Sequence, residues 1–205
     1  MDRSDAANLL IDATLAMARE GVPLMRRLLP SGVPQHLWDH YPEGDAVAPS
    51  GSRYFYHSHP PEERGTDEHG HFHLFLPRRA MPDPDTPRLA AVEPAHDGVH
   101  LVALSVAPSG LPVRAFTTNR WVTDEWLFDA AAIIAALDRF DLRGAPGDPL
   151  VNDWLTAAVA LARPVIDALL TSRDATLAAL DPRGEDRAVE VLSSAPLDLQ
   201  ALLDA

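Results

Sequence analysis

Apolar residues recur at helical spacing at Leu10, Ala13, Met17, Leu24 and Leu28, the stripe that one buried helix face requires. Gly21 and Pro23 interrupt the run, so two helices or one broken helix are expected over Ala6 to Leu29. From Pro30 to Ser52 the periodicity disappears into a stretch dense in Pro and Gly, expected to be an ordered loop anchored by Trp38 and Tyr41. The period then changes to two. Arg53 to His59, His69 to Leu76, His100 to Ala107 and Pro112 to Thr118 are rich in branched and aromatic residues and read as strands. Pro108-Ser109-Gly110-Leu111 reads as a hairpin turn between the last two. The Pro-rich stretch from Pro77 to Asp97 is too long for a tight turn and is expected to form a flap over one sheet face.

The rest of the chain reads as helical. Thr123 is expected to cap a helix with Asp124 and Glu125 in its first turn and a buried stripe of Leu127, Ala131, Ile134 and Leu137. Asp148 followed by Pro149 opens a second helix, which runs through Trp154, Leu155, Val159 and Ala162 to a kink at Pro164 and on towards Leu180. A short strand at Ala188 to Leu192 and a helical turn after Pro196 complete the pattern. The expected fold is α+β: an antiparallel sheet of about four strands, with N-terminal and C-terminal helices packed on one face. The expected organisation is a single domain over 1–205, helical over 1–29, sheet over 53–118 and helical over 123–205.

Strand periodicity also sorts the histidines. In HGHFHLFL, residues His69, His71, His73 and Phe75 share one face, while Phe72, Leu74 and Leu76 share the other. The preceding strand splits likewise, with Phe55, His57 and His59 opposite Tyr54, Tyr56 and Ser58. An antiparallel register that sets His57 against His71 also sets His59 against His69 and Phe55 against His73, and five imidazoles then line one patch. Residues four apart on a strand are separated by about 13 Å, so His69 and His73 are not expected to share an ion. Two strand neighbours, His71 with His73 or His69, completed by His57 or His59, make a better ligand set. Neutral imidazoles suit a divalent transition metal, Zn, Fe, Cu or Ni. Glu68 and Glu63 stand close enough in sequence to supply a carboxylate or move protons. By contrast, His36 and His40 read as a surface pair, since QHLWDH carries no other ligand signal.

Composition narrows the chemistry. The chain has no cysteine, which excludes thiolate metal sites and thiol nucleophiles. All 17 basic residues are arginine, so no lysine can form a Schiff base or serve a P-loop. A formal net charge of −13 argues against nucleic acid or anionic lipid as partner. No apolar stretch has the length of a membrane span, and Met1 to Asp5 carries acid where a leader would be basic. A cytoplasmic protein is expected.

FTTNRWVT, Phe116 to Thr123, places Thr118, Asn119 and Arg120 where a strand passes into a helix, a junction at which amides and a guanidinium can receive an anion. In one reading Arg120 orients an anionic substrate, with Thr118, Asn119 and Tyr56 as further contacts. In the other, Arg120 pairs with Asp124 or Glu125 as part of a helix cap. The blocks EHGHFHLFL (Glu68 to Leu76), HLVALSV (His100 to Val106) and FTTNRWVT resemble a family of uncharacterised bacterial proteins known as a domain of unknown function. That resemblance implies no activity or cofactor. An HxH on a strand is also part of the first cupin motif, but here Leu74, Phe75 and Leu76 follow without the expected glutamate, and a helical C-terminal half does not suit a jelly roll.

The functional expectation is a histidine-ligated divalent-metal protein acting on a small anionic molecule as a metal-dependent hydrolase, lyase or oxygenase. In it Glu68 or Glu63 moves protons and Arg120 holds the substrate. Its rivals are a non-catalytic metal or haem binder that uses the same histidines, and a metal-free ligand-binding or interaction module.

Overall fold

The computed structural model describes residues 1–29, 35–89 and 93–204; parts of the expected loop (30–34) and of the expected flap (90–92) lie outside the described residues. Strands β1 (Tyr41–Val47), β2 (Arg53–His57), β3 (Gly70–Pro77), β4 (Gly98–Val106), β5 (Pro112–Thr118) and β6 (Val191–Pro196) pair in chain order into a six-stranded sheet. Every neighbouring pair is antiparallel. The α+β class holds, but about four strands becomes six. The additions are the two edges. β1 arises inside the expected loop, where Pro42 is tolerated because an edge strand leaves one side unpaired. Gly44 (φ 79°) and Asp45 (φ 60°) take up the irregularity between Tyr41 and Ala46. β6 lies slightly later than the expected Ala188 to Leu192 strand and pairs with β5.

Helices α1 (Arg3–Arg19) and α2 (Leu24–Leu28) break at Gly21 and Pro23, as the periodicity requires. After β5 comes a correction. α3 (Arg120–Thr123) is a single turn ended by Asp124 at φ 47°, and the next helix, α4 (Ala130–Ala136), buries Ala130, Ile133 and Ala136. The expected Thr123 cap is therefore not formed and Ala131 is exposed, while Leu127 and Leu137 are buried as expected and Ile134 packs against the core. Tertiary hydrogen bonds outweigh local propensity here. The Glu125 carboxylate accepts from the His100 amide at 2.6 Å, and the Trp126 amide donates to the Gly98 carbonyl at 2.8 Å, holding this segment against β4.

α5 (Pro149–Leu161) and α6 (Arg163–Ala179) meet at a 69° bend, and α7 (Leu199–Asp204) closes the chain. Among the described residues no single helix is long and apolar enough to cross a membrane. Asp148 caps α5 by accepting from the Leu150 amide at 2.8 Å, and its other oxygen takes Arg27 Nη1 at 2.8 Å. Replacing Asp148 with alanine removes both bonds, and denaturant unfolding should show a loss of about 1–2 kcal/mol.

The sheet has two different faces. Tyr54, Tyr56, Phe72, Leu74, Val102 and Leu104 join Leu10, Leu155 and Leu170 in one core under the helices. Phe55, His57, His71, His73, Phe75 and Phe116 lie on the opposite face, outside that cluster and still buried. α6 packs against β5 and β6, and α1 against α5.

Candidate metal centre

The alternation in β2 and β3 carries the site. Their register pairs Phe55 with His73 and His57 with His71, so the two HxH strands face each other across one ladder. Gly70, between His69 and His71, is required by a close approach: a Cβ there would lie 2.4 Å from both the His57 carbonyl oxygen and the Tyr56 hydroxyl. His57 Nε2 stands 2.8 Å from His71 Nε2 and 3.3 Å from His59 Nε2. His57, His71 and His73 are all buried and each offers a ligand atom within 4.8 Å of the others, an arrangement that could hold a metal ion. On a tetrahedral ion with bonds of about 2.05 Å, two imidazole nitrogens stand about 3.3 Å apart. The His57–His71 pair needs to open by only about 0.5 Å to fit that spacing.

Two further groups orient the ligands. Glu68 Oε1 lies 2.8 Å from His71 Nδ1, so a neutral His71 donates there and turns its Nε2 lone pair towards His57. His73 Nδ1 lies 3.1 Å from His100 Nε2, and His100 Nδ1 lies 3.4 Å from Thr118 Oγ1. This relay engages Nδ1 of His73 and leaves its Nε2 available to an ion. Strict alternation along β4 puts His100 on the core face with Val102 and Leu104. A bulge reverses it: Leu74 pairs with Val102 and Phe75 with His100, so Leu101 has no partner. Replacing His100 with leucine is expected to weaken metal uptake about 10–100-fold, with glutamine restoring part of it by accepting from His73. Calorimetric titration of both variants checks this.

Burial favours the neutral form of His57, His59, His73 and His100, the form that ligation requires. It lowers His57 to about 2, helped by His71, His59 and His40. His73, fully enclosed, is pushed well below the usual histidine value by burial and then by His71 and His100. Burial and Arg173 lower His100 to about 3, and burial and His71 lower His59 to about 4. For Glu68, burial raises the carboxyl, but the His71 hydrogen bond, joined by Ser105 and Arg114, outweighs it and leaves it below the ordinary value.

The triad opens into a cavity of about 370 Å³ lined also by His59, Glu63, Glu68, Arg114, Phe116 and Thr118. His59 stands beside Trp38, ring centroids 4.0 Å apart, and its Nδ1 is 3.9 Å from Glu63. Other expected residues lie elsewhere. His69 turns away because it precedes β3, and its Nδ1 meets the Tyr56 hydroxyl at 2.5 Å; both are outside the cavity lining. Arg120 pairs with Glu185, with Nε at 2.8 Å, and reaches Asp124 at 3.7 Å. Asn119 donates to the carbonyls of Asp186 and Val189. These two residues hold the segment leading to β6. Gly184 permits that contact, since a Cβ there would lie 2.8 Å from Asn119 Oδ1.

Sequence reasoning missed His100, Arg114 and His40. Arg114 carried a usable signal, because it alternates with Phe116 and Thr118, and Ser105, its partner, also pairs with His71. His36 is exposed as expected, but His40 stacks on Phe55 at 3.7 Å and lines the cavity. Trp38, expected as an anchor, is 51% exposed at the cavity mouth.

Among known proteins, a family model described as Domain of unknown function (DUF6969) matches residues 4–197. No curated protein and no solved structure matches the chain.

Proposed function

We propose that this chain, which belongs to the family described as Domain of unknown function (DUF6969), is a histidine-ligated divalent-metal protein whose site serves catalysis on a small anionic substrate. The observation that carries the proposal is the convergence of three buried imidazoles, His57, His71 and His73, at one wall of a cavity. A donor set of three neutral nitrogens suits Zn, Fe, Cu or Ni. Such an ion, when bound, supplies Lewis acidity or an acidified water. Glu68 fixes the tautomer of His71, and His100 that of His73. His59, with Glu63 behind it, is placed to receive a proton from a group in the cavity. Arg114 takes the anchoring role that the sequence suggested for Arg120, whose guanidinium is engaged by Glu185.

A second reading has its own support. His59 Nε2 is 3.3 Å from His57 Nε2, close enough to complete a four-histidine site that stores or senses metal without catalysis. Azide added to the cobalt(II)-loaded protein separates the two. The catalytic reading predicts a changed visible spectrum from an exchangeable position; an unchanged spectrum at saturating azide favours the filled site.

A further inference from the structure

We infer that the cavity takes a monocarboxylate with an apolar body, its carboxylate received by Arg114. This rests on the proposed use of the cavity as a substrate site. Arg114 is directed there by β5, which puts it on the histidine face opposite Ser105. Its guanidinium carbon lies over the Phe116 ring at 4.4 Å, and its side chain is 39% exposed.

Its nearest carboxylate leaves it available. Arg114 Nη2 is 3.5 Å from Glu68 Oε2, while the other Glu68 oxygen is held by His71 at 2.8 Å. The contact to Ser105 Oγ is also long, 3.5 Å. The planar fork therefore has capacity for a bidentate carboxylate. Because Glu68 bridges His71 and Arg114, a carboxylate on that fork lies next to the triad.

Charge at the rim selects the type of anion. Glu63 and Glu190 are exposed around the cavity, and Arg64 commits Nη1 to the His69 carbonyl. In the metal-free chain the lining sets Glu63, Glu68 and Glu190 against Arg64 and Arg114, so a dianion such as phosphate meets more repulsion there than a monoanion does. Between these charges the lining also exposes apolar surface. Trp38 and Val191 are 51% and 40% exposed there, large apolar surfaces that a ligand body would cover. Trp38 holds a left-handed backbone at φ 70°, with its amide donating to the Ser58 carbonyl at 3.1 Å. A bulky residue reaches that conformation only when its surroundings impose it.

The test uses the full chain with and without cobalt(II), titrated with 3-phenylpropanoate, 3-phenylpropanamide, acetate and inorganic phosphate, and followed by tryptophan fluorescence. The phenylpropanoate should bind at least about tenfold tighter than each of the others, and Arg114→Gln should remove about tenfold for it alone. Equal binding of acid and amide, or no effect of Arg114→Gln, overturns the carboxylate assignment. Acetate binding as tightly overturns the apolar body, and tighter binding of phosphate to the metal-free chain overturns the monoanion. The cobalt absorption band reports the triad separately. A normal band without acid preference sinks only this inference, while acid preference in a chain that takes up no cobalt sinks only the metal proposal.

Discussion

Replacing His71 with alanine is expected to reduce tightly bound transition metal to less than about a tenth of an equivalent per chain, while replacing His36 leaves it unchanged. His71 is the hub of the cluster. Its ring centroid is 4.6 Å from His57, 5.0 Å from His59 and 4.9 Å from His73. It is also the histidine oriented by a buried carboxylate, Glu68. Without it, two imidazoles of the triad and a carboxylate that has lost its donor remain. His36 is exposed. His71→Leu, which fills the vacated volume, should lose metal equally while keeping the native circular dichroism. Retention of metal by either variant, or its loss in His36→Ala, would show that the centre lies elsewhere.

A steep loss of stability in acid is the second large effect, read on the metal-free protein. His57, His59, His73 and His100 all have values lowered from 6.5 in the folded chain. Between about pH 4 and 6.5 the unfolded chain binds protons there that the folded chain excludes. Stability therefore rises with pH through that window and is lost on acidification, by at most about 1.4 kcal/mol per pH unit for each group. Glu125 acts in the opposite direction. Burial, opposed by Arg173, raises its carboxyl from 4.5 to about 8, so the folded chain holds a proton that the unfolded chain releases, and stability falls as pH rises across that range. The histidines outnumber it. Lowering the pH from about 7 to about 5 should lower Tm by on the order of 10 °C; a Tm that is level across this interval would contradict the buried neutral imidazoles.

The facing HxH strands were legible because strand alternation is a local rule and a single register satisfies both apolar faces. His57 and His71 pair as that register requires. The membership of the cluster was less legible. His69 precedes the first residue of β3, so alternation does not bind it, and Tyr56 takes it instead. His100 enters through a bulge, which strict alternation cannot include. β1 was hidden by Pro42, Gly44 and Asp45, residues that an edge strand tolerates and a sequence pattern reads as loop. The helix expected from Thr123 starts only at Ala130 for a tertiary reason, the bonds that tie Glu125 and Trp126 to β4. Arg120 shows the same limit: its partner Glu185 is 65 residues away in the chain.

The central claim is that His57, His71 and His73 form one metal centre, and titration of tag-free, metal-free protein with cobalt(II) or zinc(II), with elemental analysis after dialysis, tests it most directly. One ion per chain retained, with X-ray absorption showing imidazole nitrogens at about 2.0–2.1 Å, is the predicted result. Retention below about a tenth of an equivalent of every transition metal tried, with no heat of uptake, would contradict it.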